Sequence, residues 1–209
     1  MNLLITGASG FIGRNLVNVL NLDNKYKIFY TSRYSDSIFP FIPEEIDFVI
    51  HLSFVHRLKP ESLIYDENEK INKHLIDILI LHNLKSNILF TSSIQENSDT
   101  FYGKSKRDSV KFLQSTCDSW DKKFVKIVFP NIFGPFAKAY QTSVVSTFCN
   151  DIIHNKKSKI NNVDLELIYI DQAVNTILNF ESKEKFNTDK INLIELHKRL
   201  QNLYKQYEQ

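Results

Sequence analysis

The chain contains 209 residues, of which 43% are hydrophobic and 12% aromatic, a composition typical of a globular protein rather than a disordered or fibrous one. Lys and Arg number 26 against 24 Asp and Glu, and the net charge of +2 gives no indication of a nucleic-acid or anionic-membrane partner. Cys117 and Cys149 lie far apart without CxxC or His spacing, and no apolar run approaches the length of a membrane span. We therefore expect a cytoplasmic protein with reduced cysteines, no bound metal and no membrane segment.

From the N-terminus, short apolar runs alternate with segments of helical periodicity. Strands are predicted at 3–6, 27–31, 47–53, 87–92 and 124–129, and helices at 11–20, 62–83 and 102–117. This alternation indicates an α/β fold with a Rossmann-like, doubly wound parallel sheet. The segment between the second and third strands contains Pro40 and Pro43 and is too short for a full helix and strand. We therefore expect one crossover unit to be reduced.

After residue 130 the alternation changes. The stretch PNIFGPF at 130–136 is expected to form a turn-rich loop, followed by a helix near 142–154, a strand near 165–169 and two terminal helices. The predicted organisation is therefore an NAD(P)-binding Rossmann domain at 1–130 and a small, shortened substrate-binding lobe at 131–209.

The stretch TGASGFIG at 6–13 lies between the first strand and the first helix. Its glycines, Gly7, Gly10 and Gly13, permit a tight turn, a close approach of backbone amides to a pyrophosphate, and close packing of the helix on the sheet. The helix N-terminus adds oriented N–H groups and positive potential. The alternative is a ligand-free glycine turn, but the position at the first strand of an alternating chain favours dinucleotide binding.

The end of the second strand usually distinguishes NAD from NADP. A carboxylate there would bind the ribose hydroxyls, whereas this strand continues into Ser32 and Arg33. A guanidinium pairs well with a 2′-phosphate, and a serine adds a hydroxyl donor, so NADP (NADPH) is predicted with NAD as the alternative. Arg33 could instead be a solvated loop residue.

The stretch SSIQENSDTFYGKSK at 92–106 carries a second candidate site. Tyr102 and Lys106 are four residues apart and share a face of the predicted helix, and Ser93 follows the strand that ends at the same level. In a reductase, Ser93 would hydrogen-bond to the substrate carbonyl and Tyr102 would transfer the proton. We expect Lys106 to lower the pKa of Tyr102 by favouring phenolate. The alternative is an exposed helix start with a solvated lysine.

Several motifs in chain order resemble those of the extended short-chain dehydrogenase/reductase superfamily, the epimerases, dehydratases and reductases of nucleotide sugars. They are TGASGFIG, HLS at 51–53, SSIQ at 92–95, YGKSK at 102–106 and PNIFGP at 130–135. HLSFVHR, the short loop before YGKSK, PNIFG and SVVSTFCNDI look most like the reductase domain of capsular polysaccharide enzymes that make the UDP-N-acetyl-L-fucosamine precursor. This resemblance implies NADPH-dependent reduction of a UDP-linked 2-acetamido-2,6-dideoxy-4-hexulose in surface polysaccharide biosynthesis.

The resemblance also assigns roles to residues that match the motifs. It implies that Ser93, Tyr102 and Lys106 are catalytic and that Asn131 and Arg57 contact the sugar nucleotide. The residues implied to bind the cofactor, which also include Tyr102 and Lys106, are Gly7, Ser9, Gly10, Phe11, Ile12, Gly13, Ser32, Arg33, Leu52, Ser53, Ser92 and Pro130. A homodimer formed through the helix at Tyr102 and the long helix before it is expected on the same basis.

The chain departs from the resembled enzymes at two places. His56 stands where the reductase subgroup prefers Asn, and Ile94 and Gln95 replace the Asp-Glu pair of the dehydratases, which disfavours dehydration. Two other functions remain open: a UDP-sugar 4-epimerase that keeps NAD bound, and a non-catalytic dinucleotide-binding regulator. His51, at the end of a predicted strand, is interpreted as a packed, hydrogen-bonded residue rather than a catalyst.

Overall fold

The computed structural model describes residues 1–31, 43–181 and 186–207. The chain divides into two compact units, Met1–Phe129 and Pro130–Gln209. The sequence-based boundary lies one residue later, after residue 130. Among the residues described, no helix combines the length and hydrophobicity that crossing a bilayer requires.

In its described residues, the first unit consists of five parallel strands and the helices that connect them. Its strands are β1 (Asn2–Thr6), β2 (Lys27–Thr31), β3 (Phe48–His51), β4 (Asn87–Ser93) and β5 (Phe124–Phe129). Its helices are α1 (Phe11–Leu20), α2 (Leu63–Leu81), a one-turn 3-10 helix (Ile94–Asn97) and α3 (Phe101–Ser119). The predicted elements of this unit are present, with ends that differ by a few residues, except that the 3-10 helix was not predicted.

The five strands are ordered β2-β1-β3-β4-β5, and every neighbouring pair is parallel. The chain order reverses beside β1, which creates the topological switch point at which doubly wound sheets bind ligands. The sheet is therefore Rossmann-like, as predicted. The segment expected to be a reduced crossover includes residues 32–42, which lie outside the described residues; its described part, 43–47, contains neither helix nor strand.

Apolar strand residues and two amphipathic helices form the core of the first unit. Val49, Ile88 and Phe90 of the sheet pack with Leu79 of α2 and Leu113 of α3. All five side chains are almost fully removed from water, and each contributes about 1.5–3 kcal/mol of hydrophobic stabilisation. This packing fixes α2 and α3 against the sheet and so fixes the side chains at their N-terminal turns.

The described part of the second unit contains a three-stranded mixed sheet and three helices. Its elements are β6 (Asn131–Phe133), α4 (Val144–Ile153), β7 (Asp164–Tyr169), α5 (Ile170–Leu178), β8 (Asp189–Asn192) and α6 (Leu193–Tyr207). Strand β7 pairs in parallel with β6 and antiparallel with β8. Phe148, Leu167, Leu193 and Leu196 form a small buried core.

The expectation of a loop over 130–136 was wrong in part, because residues 131–133 form β6. Strand β8 was not predicted either. A strand of three or four residues carries too little alternation to be recognised in sequence, and both of these are held by pairing with β7.

Candidate active site

The glycine turn between β1 and α1 leaves no room for a Cβ at Gly7 or Gly13. A Cβ on Gly13 would lie 2.2 Å from the carbonyl oxygen of Gly7, and a Cβ on Gly7 would lie 2.8 Å from the backbone nitrogen of Ser53. Gly7 also has a φ of +70°, in the left-handed region. Glycine is required at these two positions because the backbone of the turn contacts both the start of α1 and the segment after β3.

The N-terminus of α1 is open to an anion. Gly10 precedes the helix, and no side chain in the described part of the protein caps it. The backbone N–H groups of Phe11, Ile12 and Gly13 therefore have no acceptor within the helix. Ser9 and Gly10 are exposed beside them. Backbone N–H groups, the helix dipole and a turn rich in glycine fit the pyrophosphate of a dinucleotide.

The predicted cofactor residues after β3 lie next to this turn. The Leu52 N–H donates to the carbonyl oxygen of Thr6 at 3.3 Å, and the Ser53 N–H donates to the Thr6 hydroxyl at 3.2 Å. Leu52 and Ser53 are thereby held beside Gly7 at the carboxyl end of the sheet. Ser32 and Arg33, the residues predicted to select NADP, lie outside the described residues.

Ser93 is the last residue of β4 and caps the 3-10 helix that follows. Its hydroxyl accepts a hydrogen bond from the Gln95 N–H at 3.2 Å and is also hydrogen-bonded to the Tyr102 phenol. The predicted strand ended one residue earlier. The structure therefore brings together the Ser93 and Tyr102 hydroxyls, two of the three predicted catalytic groups.

The start of α3 is fixed by local hydrogen bonds and by one glycine. The Thr100 hydroxyl caps the helix by accepting from the Gly103 N–H at 3.0 Å. A Cβ on Gly103 would lie 2.5 Å from the carbonyl oxygen of Ser98, so the connection after Ser93 folds directly against the first helical turn. This contact fixes the position of the first turn of α3, and therefore of Tyr102, relative to the end of β4.

Lys106 lies one helical turn beyond Tyr102 and is 3% exposed. Its Nζ donates to the carbonyl oxygen of Thr91 at 2.7 Å and lies 3.6 Å from the ring centroid of Phe54 and 4.5 Å from that of Phe90. Burial lowers the pKa of Lys106 to about 7, and the charge of Glu96 only partly opposes this. Lys106 is therefore poised to change charge near neutral pH.

The Tyr102 ring is packed between aromatic neighbours. Phe54 meets it edge-on with ring centroids 5.6 Å apart, and the exposed His56 ring stacks on it at 5.4 Å and 24°. Burial raises the pKa of Tyr102, and the hydrogen bond from Ser93 acts in the opposite direction. The expectation that Lys106 would lower this pKa is not met, because burial dominates and the ammonium lies 5.8 Å from the ring centroid.

Ser92 and Glu96 form a second polar group at the end of β4, and sequence reasoning missed Glu96. The Ser92 hydroxyl donates to Glu96 at 2.5 Å, and Lys126 of β5 donates to the same carboxylate at 2.8 Å. Burial raises the pKa of Glu96, but the hydrogen bonds from Lys126 and Ser92 outweigh it and hold this pKa below its ordinary value. Only its position three residues after Ser93 could have indicated Glu96, because Lys126 comes from another strand.

His51 is buried and hydrogen-bonded, as interpreted from the sequence. Its Nδ1 lies 2.7 Å from the Thr6 hydroxyl, and its Nε2 lies 3.0 Å from Oδ1 of Asn72. Burial lowers the pKa of His51 to about 4, against the hydrogen bond to Asn72, and the charge of Lys106 lowers it further. Because Asn72 uses its amide to donate to Ser109, its oxygen accepts from Nε2–H, and His51 is the neutral Nε2–H tautomer.

The remaining predicted contacts are Arg57, Pro130 and Asn131. Arg57 is exposed on the segment after β3. Pro130 and Asn131 belong to the second unit, where the Asn131 amide donates to the carbonyl oxygen of Glu166 at 3.2 Å and joins β6 to β7. Within the ranges described, no cluster of three or more His, Cys, Asp or Glu side chains is arranged to hold a metal.

The chain matches the family described as NAD dependent epimerase/dehydratase over residues 3–192. A curated protein of Pseudomonas aeruginosa, UDP-2-acetamido-2,6-beta-L-arabino-hexul-4-ose reductase, is 33% identical over 186 residues, which are 85% of this chain and 49% of that protein. The chain therefore spans about half the length of this relative.

Among solved structures, the capsular polysaccharide assembling protein CapF of Staphylococcus aureus has a TM-score of 0.75 and 30% identity. That match covers 96% of this chain and 57% of CapF. A UDP-N-acetylglucosamine 4-epimerase of Methanobrevibacter ruminantium has a TM-score of 0.76 at 18% identity, covering 98% of this chain and 82% of the epimerase. At this identity the epimerase supports the fold alone.

Proposed function

Because this chain belongs to the NAD dependent epimerase/dehydratase family, we propose that it is an NADPH-dependent reductase of a nucleotide-linked 4-keto sugar, of the UDP-2-acetamido-2,6-dideoxy-hexulose type, in surface polysaccharide biosynthesis. The observation that carries the proposal is the hydrogen bond between the Ser93 and Tyr102 hydroxyls, with the Lys106 ammonium 5.8 Å from the Tyr102 ring centroid, at the carboxyl end of the sheet that also carries the glycine turn. The identity to a sugar-nucleotide 4-keto reductase supports the substrate class.

In this proposal each catalytic residue has a separate task. A bound NADPH would supply hydride to the keto carbon. The Ser93 hydroxyl donates a hydrogen bond to the carbonyl oxygen, and the Tyr102 phenol gives that oxygen its proton. With a pKa of about 7, Lys106 carries a proton on about half of the molecules at neutral pH, and in that protonated form it is the cation proposed to face the phenolate left on Tyr102 once hydride and proton transfer have occurred. The rings of Phe54 and Phe90 keep water away from the ammonium.

The first experiment offers the purified protein NADPH with a UDP-linked 4-keto sugar and follows absorbance at the nicotinamide band. Consumption of NADPH that requires the keto sugar supports the reductase. Conversion of a UDP-sugar without net cofactor use would instead indicate a 4-epimerase with bound NAD. Dinucleotide binding with no turnover on any sugar nucleotide would indicate a regulator.

A Tyr102→Phe variant tests the proton donor. We expect kcat to fall about 100- to 10,000-fold because general acid catalysis is lost, while NADPH affinity changes far less because the other cofactor residues remain. Tyr65→Phe is the matched control, because its hydroxyl on α2 bonds to Asp108 rather than to a predicted catalytic group. Activity that survives in Tyr102→Phe would remove this residue from the mechanism.

The preference for NADPH over NADH is proposed from Ser32 and Arg33. An Arg33→Ala variant should weaken NADPH binding more than NADH binding, because only NADPH carries the 2′-phosphate. Equal loss for both cofactors would contradict this role. Titration of each cofactor against wild-type and variant protein by calorimetry measures the difference.

We also propose that Asn131 and Arg57 contact the sugar nucleotide and that the protein is a cytoplasmic homodimer. The two free cysteines are consistent with a reducing compartment. The groove between α2 and α3, lined partly by Tyr65 and Phe112, is the surface proposed for the dimer. Light scattering of wild-type protein and of Phe112→Glu tests this interface, and a monomeric wild-type protein would contradict it.

A further inference from the structure

Asn68 of α2 is a fully buried amide whose hydrogen bonds join three parts of the first unit. The side chain is 0% exposed. Its Oδ1 accepts from the Val55 N–H at 2.7 Å, and its Nδ2 donates to the Val55 carbonyl oxygen at 3.0 Å. The amide therefore pairs with both backbone groups of one residue, as a neighbouring strand would.

The residues on either side of Val55 are those that contact the candidate proton donor. The Phe54 ring centroid lies 3.6 Å from the Lys106 ammonium, and the Phe54 ring makes a T-shaped contact with Tyr102. His56 stacks its ring on Tyr102. Because the backbone at Val55 is fixed by Asn68, the positions of both rings depend on this one side chain.

Asn68 also reaches the helix that carries Tyr102. Its Nδ2 lies 3.3 Å from the Ser105 hydroxyl, and that hydroxyl donates to the carbonyl oxygen of Tyr102 at 2.9 Å. One amide thus links the segment 52–57 to the first turn of α3.

We propose that Asn68 is a positioning residue that holds the segment 52–57 against α3, so that Phe54 and His56 fix the Tyr102 phenol and the Lys106 ammonium in reacting geometry. The effect on turnover rests on the proposed reductase function, but the effect on geometry does not. A displacement of about 1 Å in such a group is enough to reduce a rate about 100-fold.

Asn72 provides a matched control on the same helix. It is 3% exposed and its amide also makes two strong contacts, with His51 at 3.0 Å and with Ser109 at 2.6 Å. Neither contact involves the segment 52–57 or Tyr102. Asn68→Ala and Asn72→Ala therefore remove similar buried hydrogen bonds and are expected to lower stability alike, but only the first releases Phe54 and His56.

The geometric test is the NMR signal of the His56 ring, assigned by its loss in His56→Ala. Stacking on Tyr102 shifts this signal through the ring current of the phenol. We expect Asn68→Ala to move the signal towards its unstacked value and Asn72→Ala to leave it in place. The measurement works equally in a Tyr102→Phe background, which retains the ring but has no proton donor, so it does not depend on turnover.

The kinetic test compares kcat and KM for the keto sugar. Asn68→Ala should lower kcat about 10- to 100-fold with little change in KM for NADPH. Asn68→Asp keeps the acceptor for the Val55 N–H and should recover part of both the rate and the His56 signal. An unshifted His56 signal in folded Asn68→Ala would overturn the proposal, and so would an Asn68→Asp variant that recovers neither the His56 signal nor the rate relative to Asn68→Ala. Shifted signals in a protein that never turns over would refute only the proposed function.

Discussion

Two charged side chains are buried among the residues described, one in each unit. One lies against aromatic rings, whereas the other accepts hydrogen bonds from polar side chains. Lys106 in the first unit lies against the rings of Phe54 and Phe90, and burial lowers its pKa to about 7. Asp151 in the second unit accepts hydrogen bonds from Tyr140 and Ser158. The hydrogen bond from Tyr140 lowers the pKa of Asp151 despite its burial, with help from Ser158, Lys156 and His197.

The comparison shows that the charge of Asp151 stabilises the fold, whereas burial of the Lys106 charge destabilises it. Asp151 ties the loop at Tyr140 and the residues after α4 to the helix, and its neighbours favour the charged form. The surroundings of Lys106 favour the neutral form, which destabilises the fold at neutral pH. A buried group held against its own charge is typical of a functional site.

The largest expected effect follows replacement of Lys106 by Met. Activity should fall about 1,000-fold or more, whereas the free energy of unfolding at pH 7 should rise by about 1–3 kcal/mol because an apolar side chain suits this site better. NADPH turnover and urea unfolding measure the two effects. Lys104→Met, on the exposed side of α3, should change neither, and a less stable Lys106→Met would contradict the comparison.

Lys106 should also make the wild-type protein more stable as the pH rises from 7 to about 9, below the range in which the raised pKa values of the buried Cys117 thiol and Tyr102 phenol act in the opposite direction. Lys106 has a pKa of about 7 when folded and an ordinary value of 10.5, so the unfolded chain holds the extra proton in this window. The slope from this residue is about 1.4 kcal/mol per pH unit at most. Urea unfolding across the window should show a slope that is smaller in Lys106→Met, and identical slopes would contradict the assignment.

His51 provides a similar test at acidic pH. Its pKa is about 4 when folded and ordinarily 6.5, so the stability from the neutral ring is complete above pH 6.5 and is lost as the pH falls towards 4. The loss is about 3 kcal/mol. His51→Gln should be less stable at pH 7 and show less of this acid dependence. His154→Gln, at an exposed position, should keep the wild-type dependence.

The smallest expected effect on stability follows replacement of Asp151, whose charge is hydrogen-bonded. Asp151→Asn should lower the urea midpoint at pH 7, because the charge-assisted hydrogen bond from Tyr140 is weakened. Since the pKa of Asp151 is lowered in the fold, this stability is present above its ordinary value of 3.8 and disappears as the pH falls below it. The variant and the wild type should therefore converge at acidic pH, and Asp189→Asn, at an exposed site, should match the wild type throughout.

The sequence was sufficient where the information is local. The glycine spacing at 7, 10 and 13 and the four-residue spacing of Tyr102 and Lys106 specify a turn and a helical face directly. Asn68 and Asn72 could also have been noticed, because they share the core-facing side of α2 with Ile64, Ile71 and Leu75. Polar amides at apolar positions of a helix indicate buried hydrogen bonds.

The sequence was insufficient where distant segments meet. The raised pKa of Tyr102 results from burial by Phe54 and His56, which only the folded path after β3 brings to the helix. The carboxylate of Glu96 is held by a hydrogen bond from Lys126, which lies on another strand. Strands β6 and β8 form because each pairs with β7, and the sequences of these two short segments alone do not indicate a strand.

The residue type allowed at position 103 depends on the length of the connection between Ser93 and α3. The connection after Ser93 lies so close to α3 that a single added carbon at residue 103 would collide with the Ser98 backbone. An insertion that lifts the connection away would make this position tolerant of many residues, whereas any substitution made first would distort the turn beside Tyr102. Variant libraries that graft a longer loop here should therefore introduce the insertion before, or together with, diversity at position 103.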